Sequence, residues 1–199
     1  MKRFLALLLT LLALMACGGP HRFTGTLLDP PEPIADWTLT DQHGQPFRLS
    51  DQRGKLVLLY FGYTNCPDFC PITMGIWKQV RAHLGADAEQ VRFVMISTDP
   101  ARDTPEVLAR YLSAFDPAFV GLQPTPEQLD ALSRKFGAGV DANAQAHGDH
   151  HAGLDPRLHG TYTYVLDRQG RWRLLFPYDT PVEAMVADLR ALLREGAGS

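Results

Sequence analysis

The sequence predicts an α/β fold, a mixed sheet flanked by helices with an added N-terminal β-hairpin. Three observations carry this. The continuous apolar run 55–61 is what a strand buried on both faces requires, and 91–97 reads as a second buried strand. Segments with helical signals separate and follow them, at 71–84, from 105 onward, at 126–136 and at 182–194. Finally, the extended runs 161–166 and 172–176 flank Asp167-Arg168-Gln169-Gly170, a turn that makes them antiparallel. A sheet with both kinds of pairing is mixed, and its helices must cover its faces.

Each element has its own signal. Residues 34–40 and 46–49 alternate loosely around the turn Asp41-Gln42-His43-Gly44-Gln45, which gives the hairpin. In 71–84, Ile72, Ile76, Val80 and Leu84 recur every four residues. Thr104 and Thr125 are N-caps, each followed by proline at the first helical position. The order is hairpin, β-α-β-α-α-β-β-α, with the long irregular stretch 138–158 before the last hairpin. A strand leading to a cysteine pair at a helix start, then βαβ and a final hairpin, is the thioredoxin-like plan.

Composition narrows the function. The chain has 199 residues, 45% hydrophobic, enough for one core and too apolar for a disordered protein. Its 19 basic and 22 acidic residues carry no nucleic-acid footprint. Lys2 and Arg3 precede the apolar run 4–16, too short to span a bilayer and suited to an export signal. The run ends Leu14-Met15-Ala16-Cys17, which resembles a bacterial lipobox. Residues 1–16 are therefore expected as a lipoprotein signal peptide and Cys17 as the lipidated N-terminus. The Gly- and Pro-rich 17–33 is expected as a flexible tether and 34–199 as the domain. This places the protein at the cell membrane, lipid-anchored, facing the periplasm or cell exterior. A signal cleaved elsewhere, with a chance cysteine, is the alternative.

Export leaves Cys66 and Cys70 as an isolated pair. They follow the first central strand, at the carboxyl end where α/β sheets build their sites. Their spacing is Cys-x-x-x-Cys, one longer than the Cys-x-x-Cys redox motif, and positions i and i+4 share a helical face. Because Pro71 lacks an N–H, the cysteine loop is expected to stay irregular, with the helix starting at Pro71. Two thiolates on one face suit a soft ion such as Cu(I), completed by an imidazole, and equally allow a plain disulfide that pins the loop. Four-ligand structural zinc lacks a second cysteine pair. His147, His150 and His151, with Asp149, are a compositional hint of a second, looser metal site. Asp99, Arg102 and Asp103 read as an ion-paired loop or docking surface, Asp103 also as support for a helix start. The aromatics Tyr60, Phe61, Tyr63 and Phe69 read as core.

Three blocks together resemble the Sco/SenC family of copper-binding proteins. They are Phe61-Gly62-Tyr63-Thr64-Asn65-Cys66-Pro67-Asp68-Phe69-Cys70-Pro71, Ser97-Thr98-Asp99-Pro100-Ala101-Arg102-Asp103-Thr104-Pro105, and His159-Gly160-Thr161-Tyr162-Thr163-Tyr164-Val165-Leu166-Asp167. Asn65 stands where histidine is common, and Leu158 and Gly160 replace the family's frequent Asp and Ser or Thr. The resemblance implies a thioredoxin-like monomer that binds copper, as Cu(I) and Cu(II), through Cys66, Cys70 and His159. It implies a metallochaperone rather than an enzyme, delivering copper to the cytochrome c oxidase subunit that carries the Cu-A site. Cys66 and Cys70 would form a redox-active disulfide in the metal-free state. The rival from the enzyme class is a thiol–disulfide oxidoreductase that reduces the recipient's cysteines, and a copper or redox sensor is the third.

Overall fold

The computed structural model describes residues 21–138 and 162–195. Eight strands form one sheet: β1 (Thr26–Glu32), β2 (Thr38–Asp41), β3 (Pro46–Arg48), β4 (Leu56–Gly62), β5 (Val91–Ser97), β6 (Val120–Gln123), β7 (Tyr162–Leu166) and β8 (Trp172–Pro177). The helices are α1 (Phe69–Leu84), α2 (Pro105–Ser113), α3 (Pro126–Phe136) and α4 (Val182–Glu195). Strand order is β1-β8-β7-β4-β5-β6-β2-β3. β4, β5 and β6 run parallel, β7 pairs antiparallel with β4 and β8 antiparallel with β7, so the sheet is mixed as expected. Among the described residues no helix is long and apolar enough to cross a membrane.

The pleat of β4 divides the core in two. Leu56, Leu58 and Tyr60 face a layer built by α1, α2 and α4, while Val57, Leu59 and Phe61 face α3. Every residue of β4 is buried, which accounts for its unbroken apolar run. Trp77 locks α1 onto the sheet. It is wholly buried, meets Tyr60, Phe93 and Phe119 edge-on, and donates from its indole to Thr163 Oγ1 at 3.1 Å. Thr104 and Thr125 cap α2 and α3 as expected, the second in a full capping box with Gln128.

Three elements differ from expectation. The described part of the supposed tether is folded: β1 pairs with β8, and the chain before it is pinned by Asp188 of α4. That wholly buried carboxylate accepts from the Thr24 and Gly25 N–H groups, both at 2.9 Å, and lies 2.7 Å from His21 Nε2. Pro30 and Pro31 fit because β1 is the sheet's edge, where a missing N–H is harmless. β6 was hidden by its four-residue length and by Gly121, a weak strand former. A Cβ there would lie 2.8 Å from Leu112 Cδ1, so the glycine lets α2 press onto the sheet. Lastly, α1 starts at Phe69, not Pro71, with Asp68 at the N-cap position. Pro71 falls among the first four helical residues, whose N–H groups have no intrahelical partner anyway.

Candidate metal centre

Cys66 and Cys70 straddle the start of α1, directly beyond the carboxyl end of β4. Both are free; Cys66 is half-buried in the loop and Cys70 buried in the first helical turn. The two extra helical residues therefore do more than lengthen α1, because they make Cys70 part of a rigid element packed through Trp77 on the core.

The loop itself is held by its neighbour. β4 and β5 end side by side at Gly62 and Ser97, and Thr98 N–H donates to Gly62 O at 2.8 Å. Asp103, 1% exposed, then reaches across. Its carboxylate accepts from Thr64 Oγ1 at 2.6 Å, from Thr64 N–H at 3.2 Å and from Ser97 Oγ at 2.7 Å. Cys66 N–H closes a turn onto Tyr63 O at 3.3 Å. The Ser97–Pro105 block is thus a bracket for the cysteine loop. Within it Asp99 pairs with Arg102, and Asp103 turns inward rather than only serving a helix start.

The two thiols differ electrically. The Cys66 thiol is lowered to about 5, chiefly because the Cys70 thiol hydrogen-bonds to it, with help from the Asp68 and Cys70 N–H groups and against the cost of burial. The Cys70 thiol is pushed up, first because its proton serves Cys66 and then by burial. Tyr60 donates its hydroxyl to Cys70 Sγ at 3.5 Å inside the protein, and burial keeps that phenol protonated. Tyr63 beside Cys66 is likewise raised, mainly by burial. Gly62 leaves room for this arrangement, since a Cβ there would sit 2.5 Å from Tyr60 Cε1 and 3.0 Å from Cys70 Sγ. Outside the sulfurs, Phe69 meets Tyr178 edge-on at 5.2 Å and Ile72 is exposed, so this side of the rim is apolar, while the exposed Asn65 and Asp68 flank Cys66.

Two sulfurs side by side, one shielded and one reachable, form a site for a soft ion or for disulfide exchange. Among the described residues no group of three or more His, Cys, Asp or Glu comes together, so the pair is the whole described donor set. His159, His147, His150, His151 and Cys17 lie outside the described residues. Sequence reasoning missed two contributors. One is Asp103 as the bracket. The other is Tyr60, whose signal was a hydroxyl inside an otherwise apolar strand, where it needs a partner.

Residues 27–194 match the family model described as SCO1/SenC. A SCO2-like protein of Rickettsia conorii is 34% identical over 158 residues, which cover 78% of this chain and 74% of the relative. Among solved structures, apo Sco1 of Thermus thermophilus is similar with a TM-score of 0.72 at 38% identity, covering 88% of this chain and 100% of that one. Bradyrhizobium japonicum ScoI with copper bound gives a TM-score of 0.66 at 33% identity, covering 80% and 98%. These likenesses bear out the thioredoxin-like architecture expected from the order of elements.

Proposed function

We propose, from the premise that the chain belongs to the SCO1/SenC family, that it is a copper carrier of cytochrome c oxidase assembly. Copper is the cargo, and Cys66, Cys70 and His159 hold it. The observation that carries this is the pair of free thiols at the end of β4, one buried and one open to a partner. Two thiolates are the donors a soft ion prefers, and His159 comes three positions in sequence before β7, the strand next to β4 in the sheet. A carrier must hold its ion with few ligands, so that a recipient thiolate enters before release. Cys66, in the loop and half-exposed, is the sulfur a recipient reaches first, while Cys70 stays fixed in α1. Residues 1–16 act as an export signal, lipid on Cys17 tethers the protein to the outer side of the cell membrane, and the histidine tract 147–151 is secondary.

A second reading is favoured by the low Cys66 thiol, a nucleophile at neutral pH. As a reductase, Cys66 thiolate attacks a partner disulfide, releases one partner thiol and forms a mixed disulfide. The Cys70 sulfur then displaces the second partner thiol, leaving a Cys66–Cys70 disulfide. The readings separate at His159, which reduction does not need. Copper-loaded protein is presented to the recipient subunit with its Cu-A cysteines already reduced. Transfer that fails in His159→Ala, with disulfide reduction unchanged in that variant, supports the carrier. Assembly of the Cu-A site by copper-free reduced protein overturns it in favour of the reductase.

A further inference from the structure

We propose that Tyr60 is a positioning residue for the copper cargo, its buried hydroxyl setting how strongly the Cys70 sulfur donates to the metal. This rests on the carrier reading above. Tyr60 is 1% exposed in a strand whose other residues are apolar or glycine, and Cys70 Sγ is its hydroxyl's hydrogen-bond partner, at 3.5 Å. The Thr73 hydroxyl also lies against the phenol, and the surroundings keep ring and sulfur together. Trp77 fixes the phenol ring edge-on at a centroid distance of 6.2 Å, and Gly62 keeps the space between ring and sulfur clear of any Cβ. Packing alone would be served by phenylalanine, which adds no buried polar atom.

The chemistry follows from the charge on sulfur. A neutral thiol accepts only a weak hydrogen bond, whereas a metal-bound thiolate accepts a charge-assisted one, so the hydroxyl favours the loaded state. The same bond draws electron density from Cys70 and lowers the energy of its filled orbitals, as hydrogen bonds to metal-bound cysteine sulfur do elsewhere. Cys66 is half-exposed and lies outside this contact. The two sulfurs are therefore held by different donors: Cys70 is damped by a phenol inside the core and kept dry, whereas Cys66 accepts from the Asp68 and Cys70 N–H groups and the Tyr63 hydroxyl in the loop and is open to exchange.

The test is Tyr60→Phe in the full protein, with a thermal melt to check folding. Cu(II) is added and the sulfur-to-copper charge-transfer band recorded, and Cu(I) affinity is measured against a chromophoric chelator. Without the hydroxyl the band should move to lower energy and Cu(I) affinity should fall about tenfold. Site-specific 3-fluorotyrosine at position 60, a stronger donor of nearly the same shape, should move the band the other way. It also decides the matter if the phenylalanine variant does not fold. A band that stays at the wild-type energy in either folded variant, with affinity within twofold, overturns the proposal. If the wild-type protein itself shows no sulfur-to-copper band, the carrier reading fails and takes this one with it, a result distinct from a variant that behaves like wild type.

Discussion

Replacing Asp103 by alanine should loosen the cysteine loop without touching either sulfur. The carboxylate is 1% exposed and accepts three hydrogen bonds, from Thr64 Oγ1 at 2.6 Å, Ser97 Oγ at 2.7 Å and Thr64 N–H at 3.2 Å. A hydrogen bond to a charged group contributes about 1.5–3 kcal/mol, and a buried donor left unpaired costs about 1–3 kcal/mol. Against this, alanine removes the penalty of several kcal/mol for keeping a carboxylate out of water. The two hydroxyls can rotate toward other acceptors, but the Thr64 N–H cannot. The balance is a loss of about 2–4 kcal/mol. For a domain of this size each kcal/mol lowers Tm by about 2–4 °C, so the melt should fall by roughly 5–15 °C. Thermal and urea unfolding of the reduced, metal-free protein measure this, and amide exchange at Thr64 and Cys66 should quicken more than at Val94 in β5. Asp103→Asn keeps one acceptor oxygen and should fall between the two. A melt within 2 °C of wild type, with exchange at Thr64 unchanged, would refute the view that the bracket holds the loop.

Glycine substitutions should act with opposite sign at two positions. Gly62→Ala forces a Cβ to 2.5 Å from the Tyr60 ring and 3.0 Å from Cys70 Sγ, and should cost about 1–3 kcal/mol and weaken copper binding. Gly75→Ala in α1 meets nothing within 4 Å and should stabilise by about 0.5–1 kcal/mol, both read from chemical melts. Asp188→Ala removes the acceptor of the Thr24 and Gly25 N–H groups, and should cost about 2–3 kcal/mol and expose the chain near His21 to limited proteolysis. Cys66, lowered to about 5, ionises as pH rises through that value. Its alkylation by iodoacetamide should therefore climb between pH 4 and 6 and be level at 7, whereas an ordinary thiol of pKa about 8.5 is still climbing there.

Legibility followed the strength of local signals. β5 is found at its predicted limits because six buried residues out of seven leave no ambiguity of period. Thr125 announced α3 because its cap and Pro126 act within one turn. β1 was not legible, since its two prolines are permitted only by an edge position, and that position depends on β8, over a hundred residues further along. The start of α1 is not legible because Pro71, a breaker inside a helix, is tolerated in the first turn, where its missing N–H has no partner to lose. In the site, the cysteines were legible from spacing alone. Asp103 was singled out too, but its partner Thr64 is 39 positions away and no periodicity joins them. Tyr60 looked like core and is core; only the place of its oxygen gives it a second use.

The pinning of residues 21–25 by Asp188 bears on geography. Between Cys17 and His21 lie four steps of chain, at most about 14 Å at full extension. With lipid on Cys17, that is a short leash, and the domain would ride at the bilayer surface instead of sweeping a wide volume. The leash also attaches toward the working end. Thr26 aligns across the sheet with Leu175, Tyr164 and Leu59, three residues before Gly62 and the cysteine loop. Three strand spacings make the sideways offset about 14 Å. The cysteines would thus be confined to a thin layer above the membrane, where meeting an acceptor becomes a search in two dimensions.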